Sequence, residues 1–156
     1  MKKIVTLILV AFGLIVGARL QAAENLRLNP RLDYSSDSQD GPLITGNHIE
    51  DGAVRGKPNY VFMFGEGCFN SKQQARRSVS LYEKYKDRVQ FVIIDLDKPA
   101  TADQQKLVRK YYQGSIPHVV ILNAMGKAVY TRPGEVGEPD ISQILDGLLE
   151  TPANKN

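Results

Sequence analysis

Three stretches of the chain, Asn59–Phe64, Val89–Leu96 and His118–Leu122, are built on apolar runs: Tyr60–Phe64, Phe91–Ile94 and Val119–Leu122. Continuous apolar runs of this length, bounded by polar or turn residues, predict strands buried on both faces, as in the centre of a sheet. The stretch between the first two changes period. From Ser71 to Lys86, residues Ala75, Val79, Tyr82 and Tyr85 recur three or four apart. This predicts a helix with one apolar stripe, with Lys72, Arg76 and Arg77 on its solvated side. A second helix is predicted over Thr101–Tyr112, with Leu107, Val108, Tyr111 and Tyr112 inward and Thr101 or Asp103 as cap. Gly114 ends it.

After the third strand, Asn123–Gly126 reads as a turn and Lys127–Thr131 as a fourth strand, making an antiparallel hairpin. Asp140 with Gln143 three residues on reads as the capping pair of a last helix burying Ile141, Ile144, Leu145, Leu148 and Leu149. The order β-α-β-α-β-β-α implies that the first two strands are parallel, joined by a right-handed crossover. The expected fold is α/β: a central mixed four-stranded sheet with helices on both faces.

The N-terminal part is patterned differently. Met1-Lys2-Lys3, an apolar run from Ile4 to Val16 and a small-residue zone from Ala18 to Ala23 read as a secretory signal, residues 1–23. The run is shorter than the roughly 20 residues of a spanning helix, so no stable membrane anchor is expected after cleavage. Residues 24–42 are polar and rich in Asp, Ser and Gly, and are expected to be a flexible segment. Residues 43–151 form the expected folded domain, with Leu43–Thr45 read as a short strand and His48–Val54 as a helical turn, and 152–156 a short tail.

Charge then changes meaning. The whole chain has 20 basic and 17 acidic residues. The signal holds Lys2, Lys3 and Arg19 and no acid, so the remainder carries 17 of each. A basic balance confined to an export signal argues against a nucleic-acid partner. The chain has a single cysteine, Cys68, so an exported protein of this sequence has no internal disulfide framework. One Cys and two His do not close a structural zinc site. No phosphate loop or other cofactor motif is present, and neither a cofactor nor a metal is expected.

Cys68 is where the chemistry concentrates. An apolar strand runs through the glycine-broken turn Phe64-Gly-Glu-Gly67 to the thiol, and a helix begins just beyond it. The partial positive charge and free amides of a helix N-terminus favour a thiolate over a thiol. Glu66 opposes this effect and Lys72 supports it. A buried, inert cysteine is the competing reading.

These residues also resemble a known family. Gly56-Lys57-Pro58 before the first strand, Phe64-Gly-Glu-Gly-Cys-Phe-Asn-Ser-Lys72, Ile116-Pro117 before a strand and Met125-Gly126-Lys127 at a hairpin turn are together similar to thioredoxin-fold proteins, over roughly residues 44–150. The resemblance implies a cis proline at Pro117. It also implies that Cys68 is the nucleophile and that Ile116 and Pro117 present a client backbone beside it, with Phe69 as an apolar contact. The departures are specific. The family's second cysteine falls on Ser71, its buried acid on Phe62, and the tryptophans of its motif are missing.

A dithiol reaction needs two sulfurs, so a C-x-x-S site implies monothiol exchange, with Ser71 hydrogen-bonding the sulfur. His118, next to Pro117, is either a modulator of the thiol or an ordinary sheet histidine. The expected partner is a protein or low-molecular-weight thiol or disulfide. Two alternatives stand beside this: a redox-inactive binding module for a protein partner, and a disulfide-linked homodimer through Cys68. The expected location is exported, either periplasmic in a Gram-negative source or secreted.

Overall fold

The computed structural model describes residues 23–38 and 41–150. The expected signal and the 152–156 tail lie outside the described residues. A four-stranded sheet runs in the order β4-β3-β5-β6. Its strands are β3 (Asn59–Phe64), β4 (Gln90–Asp95), β5 (His118–Leu122) and β6 (Ala128–Pro133). β3 pairs with β4 in parallel and with β5 antiparallel, and β5 pairs antiparallel with β6. All residues of β3 and β5 are buried, the polar Asn59 and His118 at their starts included.

Helices cover both faces. α1 (Phe69–Tyr85) and α3 (Glu138–Glu150) pack on one, against Tyr60, Phe62, Phe64, Phe91, Ile93, Val119 and Ile121. α2 (Ala102–Tyr111) covers Val61, Met63, Val92, Ile94, Val120 and Leu122 on the other. Thr101 caps α2 by accepting the Gln104 N–H. Asp140 does not cap α3. The helix starts two residues earlier, at Glu138, with Pro139 in its first turn and the Ile141 N–H bonded to Gly137 O. Proline fits an N-terminal turn because its missing N–H would have had no helical partner there.

The core face of α1 is more polar than its stripe predicts. Gln74 and Ser78 are buried. Their hydrogen bonds explain it: Gln74 donates to the Tyr60 hydroxyl and accepts the Val136 N–H, while Ser78 Oγ lies 2.8 Å from Tyr60 Oη. Each buried polar group is thereby satisfied. Burial pushes the Tyr60 phenol up to about 12.

The segment 24–42 requires a correction. It is not simply a loose polar tract. β1 (Glu24–Leu28) pairs antiparallel with β2 (Ile44–Asn47) in a separate two-stranded sheet. Leu26, Tyr34, Leu43 and Ile44 join the α1-side core. The close approach depends on Gly46, where a Cβ would lie 2.7 Å from Glu24 O. The Asn25 N–H donates to the Tyr82 hydroxyl of α1 at 2.7 Å, and the Tyr34 hydroxyl donates to Leu43 O at 2.5 Å.

Beyond β2 the chain turns at His48–Glu50 rather than forming a helix, and His48 takes a positive φ of 55°. This stretch is tied to α2 and, through it, to β4. Gln104 Nε2 reaches Ile49 O and Ile93 O, and Thr101 Oγ1 donates to Glu50 O.

Candidate functional site

Cys68 is the N-cap residue of α1, half-exposed, with extended backbone (φ −90°, ψ 120°). β3 ends at Phe64, and the turn 65–67 delivers the thiol to the mouth of the helix. The turn is tight: the Cys68 N–H points to Gly65 O at 3.4 Å. The Ile116–Pro117 peptide bond is cis. Its loop sits directly against this turn, since a Cβ on Gly65 would lie 2.6 Å from Ile116 Cδ1. A side chain at 65 would require the Ile116 Cδ1 methyl to move aside. The structure therefore brings Cys68, Ile116 and Pro117 into one region. Phe69, 39 % exposed, stands beside the thiol.

Ser71 is fully buried, and its hydroxyl has no hydrogen-bond partner. The expected bond from Ser71 to the sulfur is absent in this state, which leaves an unsatisfied buried hydroxyl one helical turn from Cys68. The Cys68 side chain accepts no capping bond from the helix.

His118 is buried on β5. Its Nε2 pairs with Thr131 Oγ1 at 3.0 Å and its ring meets Tyr112 edge-on at 6.2 Å. β5 alternates, and His118 shares the α2 face with Val120, away from α1. Burial lowers its pKa and keeps the ring neutral. These contacts match the ordinary sheet histidine rather than a partner for the thiol.

Two charged residues near the thiol are used in ways the sequence does not announce. Lys72 is fully buried, not on a solvated face. Its ammonium donates to Asp33 O at 2.6 Å and to Ser36 O and Ser38 Oγ at 2.8 Å, so all three donors are met by the segment 33–38. Asp37 of that segment accepts the Phe69 N–H at 2.6 Å. Asp33 shapes the segment by accepting from Ser35 and Ser36. Chiefly through the Ser35 hydroxyl, these bonds lower its pKa to about 2.

Glu66 is buried as well. Lys98 Nζ lies 3.1 Å from Glu66 Oε1, an ion-pair approach without hydrogen-bond alignment. Asp97 Oδ2 accepts the Glu66 N–H at 2.7 Å. Asp95, at the end of β4, faces this group. Burial first, and then hydrogen bonding to Glu66, push its carboxyl up to about 7. Asp95 also lines a cavity of about 320 Å³ walled by Ile44, Ile49, Phe64, Ile93 and Pro99. Phe62 stands at the family's acid position, buried and stacked on Phe64 with ring centroids 5.1 Å apart. The carboxyl closest in character to a buried proton acceptor is thus Asp95, on the neighbouring strand. Sequence reasoning missed it, because the pairing of Phe64 with Asp95 is a tertiary fact. Among the described residues, no three His, Cys, Asp or Glu side chains converge as a metal site would require.

Comparison with solved structures places this arrangement. The chain matches a structure titled as that of a malarial protein with a TM-score of 0.51 at 20 % identity, covering 60 % of this chain and 99 % of that one. It matches malarial thioredoxin-2, described as a component of the parasite's protein secretion machinery, with a TM-score of 0.50 at 19 % identity, covering 62 % and 96 %. With the strand order, the thiol at the start of α1 and the cis proline beside it, the fold is decided. The chain is a thioredoxin-fold protein.

Sequence relatives point the same way. The thioredoxin-fold chain is 27 % identical over 94 residues to the thiol:disulfide interchange protein TxlA of Synechococcus elongatus, covering 60 % of this chain and 48 % of TxlA. It is 26 % identical over 137 residues to the chloroplastic thioredoxin-like protein HCF164 of Arabidopsis thaliana, covering 84 % and 50 %. It is 29 % identical over 96 residues to HCF164 of rice, covering 62 % and 36 %. The chain spans half or less of the length of these relatives. No family model matches it. No helix among the described residues is long and apolar enough to cross a membrane.

Proposed function

We propose that this thioredoxin-fold protein carries out monothiol disulfide exchange through Cys68. The observation that carries the reading is the placement of its one cysteine. The sulfur stands half-exposed at the N-terminus of α1, with the cis Ile116–Pro117 loop packed on the turn that delivers it. The names of the relatives, one a thiol:disulfide interchange protein, support thiol chemistry at the level of the family.

The steps follow from having one sulfur. The Cys68 thiolate attacks a client disulfide, forms a mixed disulfide and releases the client's other sulfur as a thiolate. A second thiol, from the client or from a small thiol, then attacks the mixed disulfide and returns Cys68 as a thiolate. Ser71 cannot resolve the intermediate, because a hydroxyl forms no disulfide. Its unpartnered hydroxyl can turn to a thiolate and steady it. Ile116 and Pro117 present an edge on which an extended client lies, and Phe69 adds an apolar contact. Export to an oxidising compartment fits this chemistry.

A redox-inactive binding module is the second reading. Phe62 at the acid position and the absence of a Ser71 bond to the sulfur favour it. Trapping separates the two. Acid quenching and alkylation of cell extracts should capture mixed disulfides of the wild-type protein, and Cys68→Ala should remove them all. Survival of the captured partners in Cys68→Ala would favour the module. A single reducible band at twice the mass would instead reveal a Cys68-linked homodimer.

A further inference from the structure

The helix end that should activate Cys68 is already occupied. A helix N-terminus offers roughly half an elementary positive charge, spread over its first free amides. Asp37 brings a full negative charge to that place and accepts the first of those amides, the Phe69 N–H, at 2.6 Å. Cys68 takes no capping bond, and Ser71, buried beside it, has a hydroxyl with no partner. Asp37 is also held in place. The segment carrying it is fastened by the Lys72 ammonium through Asp33 O, Ser36 O and Ser38 Oγ, and by Gln73 Nε2 donating to Tyr34 O.

Resting on the reading of Cys68 as a nucleophile, we infer that Asp37 is a positioning residue for that sulfur: its carboxylate occupies the N-terminus of α1 and restrains thiolate formation while it holds the Phe69 N–H. The carboxylate, bonded to the first helical amide, offsets the partial positive charge of the helix end. The other charged groups around the thiol are committed elsewhere. Lys72 is spent on three oxygens, and Glu66 is engaged by Lys98, with Asp95 and Asp97 behind it. Asp33 is engaged by Ser35 and Ser36, Arg76 lies over the Tyr34 ring, and His118 faces Thr131 and Tyr112. Asp37 is the carboxylate that can leave without unfolding the core, because it is exposed. When the Asp37 side chain swings away, the Phe69 amide and the helix field return to the sulfur.

The test is the pH profile of Cys68 alkylation by iodoacetamide, a neutral probe, in the purified full chain. Asp37→Asn keeps an acceptor but loses the charge. It should shift the profile to lower pH and raise the rate at pH 7 by about three- to tenfold. Asp37→Ala should raise it at least as much, and Asp37→Glu should stay near wild type. Salt gives a second reading on the unmutated protein: its rate at pH 7 should rise between low and high ionic strength, and that of Asp37→Asn should not. A mere helix cap would lower the melting midpoint of Asp37→Asn and leave the profile where it was. An unshifted profile in a folded Asp37→Asn protein, or a salt response equal in both, overturns the inference. Partner trapping is independent of this outcome. Lost trapping with a shifted profile would remove the exchange reading alone, and retained trapping with an unshifted profile would remove the Asp37 role alone.

Discussion

Two ionisable side chains are taken out of water on either side of the thiol turn, and the protein treats them in opposite ways. Lys72 is fully buried and keeps three hydrogen-bond acceptors around its ammonium. Asp95 is only partly buried, yet one carboxyl oxygen has no partner and its neighbours are two further acids, Glu66 and Asp97. A buried charge is tolerated when its hydrogen bonds are complete. When they are not, the group sheds its charge, as Asp95 does by holding its proton up to about 7. The positive side of the site is a fastening. The negative side is a titrating group.

The largest break in this comparison comes from Lys72→Met. It keeps an apolar stem of similar length but strands two carbonyls and a hydroxyl. Chemical denaturation should show a loss of about 3 kcal/mol, and proteolysis should cut first within residues 33–38. Asp95→Asn comes next and has the opposite sign. A carboxyl with an ordinary pKa of 3.8, raised to about 7 in the fold, binds a proton that the unfolded chain has released. Its contribution to stability is complete below pH 3.8 and is lost as pH rises through 7. Asp95→Asn should therefore gain about 1 kcal/mol over wild type at pH 8, discounted for its solvent exposure, and nothing at pH 4. Melting at the two pH values reads this directly. The smallest effect is Ser38→Ala, which removes one of three acceptors from Lys72. It should cost about 0.5–1 kcal/mol and leave the pH dependence due to Asp95 unchanged, which shows that the two regions are independent.

The same contrast explains what could be read before the fold was known. β3, β4 and β5 announce themselves because strands buried on both faces are built on apolar runs, and α1 because Ala75, Tyr82 and Tyr85 return at the helical period. Cys68, Ile116 and Pro117 were legible as local patterns around a turn and a proline. Lys72 was not, since a lysine on a helix is ordinarily solvated, and its acceptors are mostly backbone oxygens that leave no mark in the sequence. Asp37 caps a helix 32 residues away in sequence, beyond the reach of any capping-box pattern. The buried part of residues 23–44 rests on Leu26, Tyr34, Leu43 and Ile44, too widely spaced to set a period. Asp95 and Glu66 meet only because β4 lies beside β3.

The stretch tied to β4 through α2 has a consequence for how the molecule meets its own kind. A four-stranded sheet has two borders, and at one of them Gln104 Nε2 joins Ile49 O to Ile93 O of β4, with Thr101 donating to Glu50 O. The opposite border, β6, carries exposed Val129, a half-buried Tyr130 and then Arg132 and Pro133. Strand addition between copies is therefore directed to one side, and there a proline without an N–H and a charged side chain interrupt the ladder. At the β4 border the Gln104 amide, bonded to Ile93 O, occupies an edge acceptor that an added strand would need, so losing Gln104 would open that acceptor to a second copy.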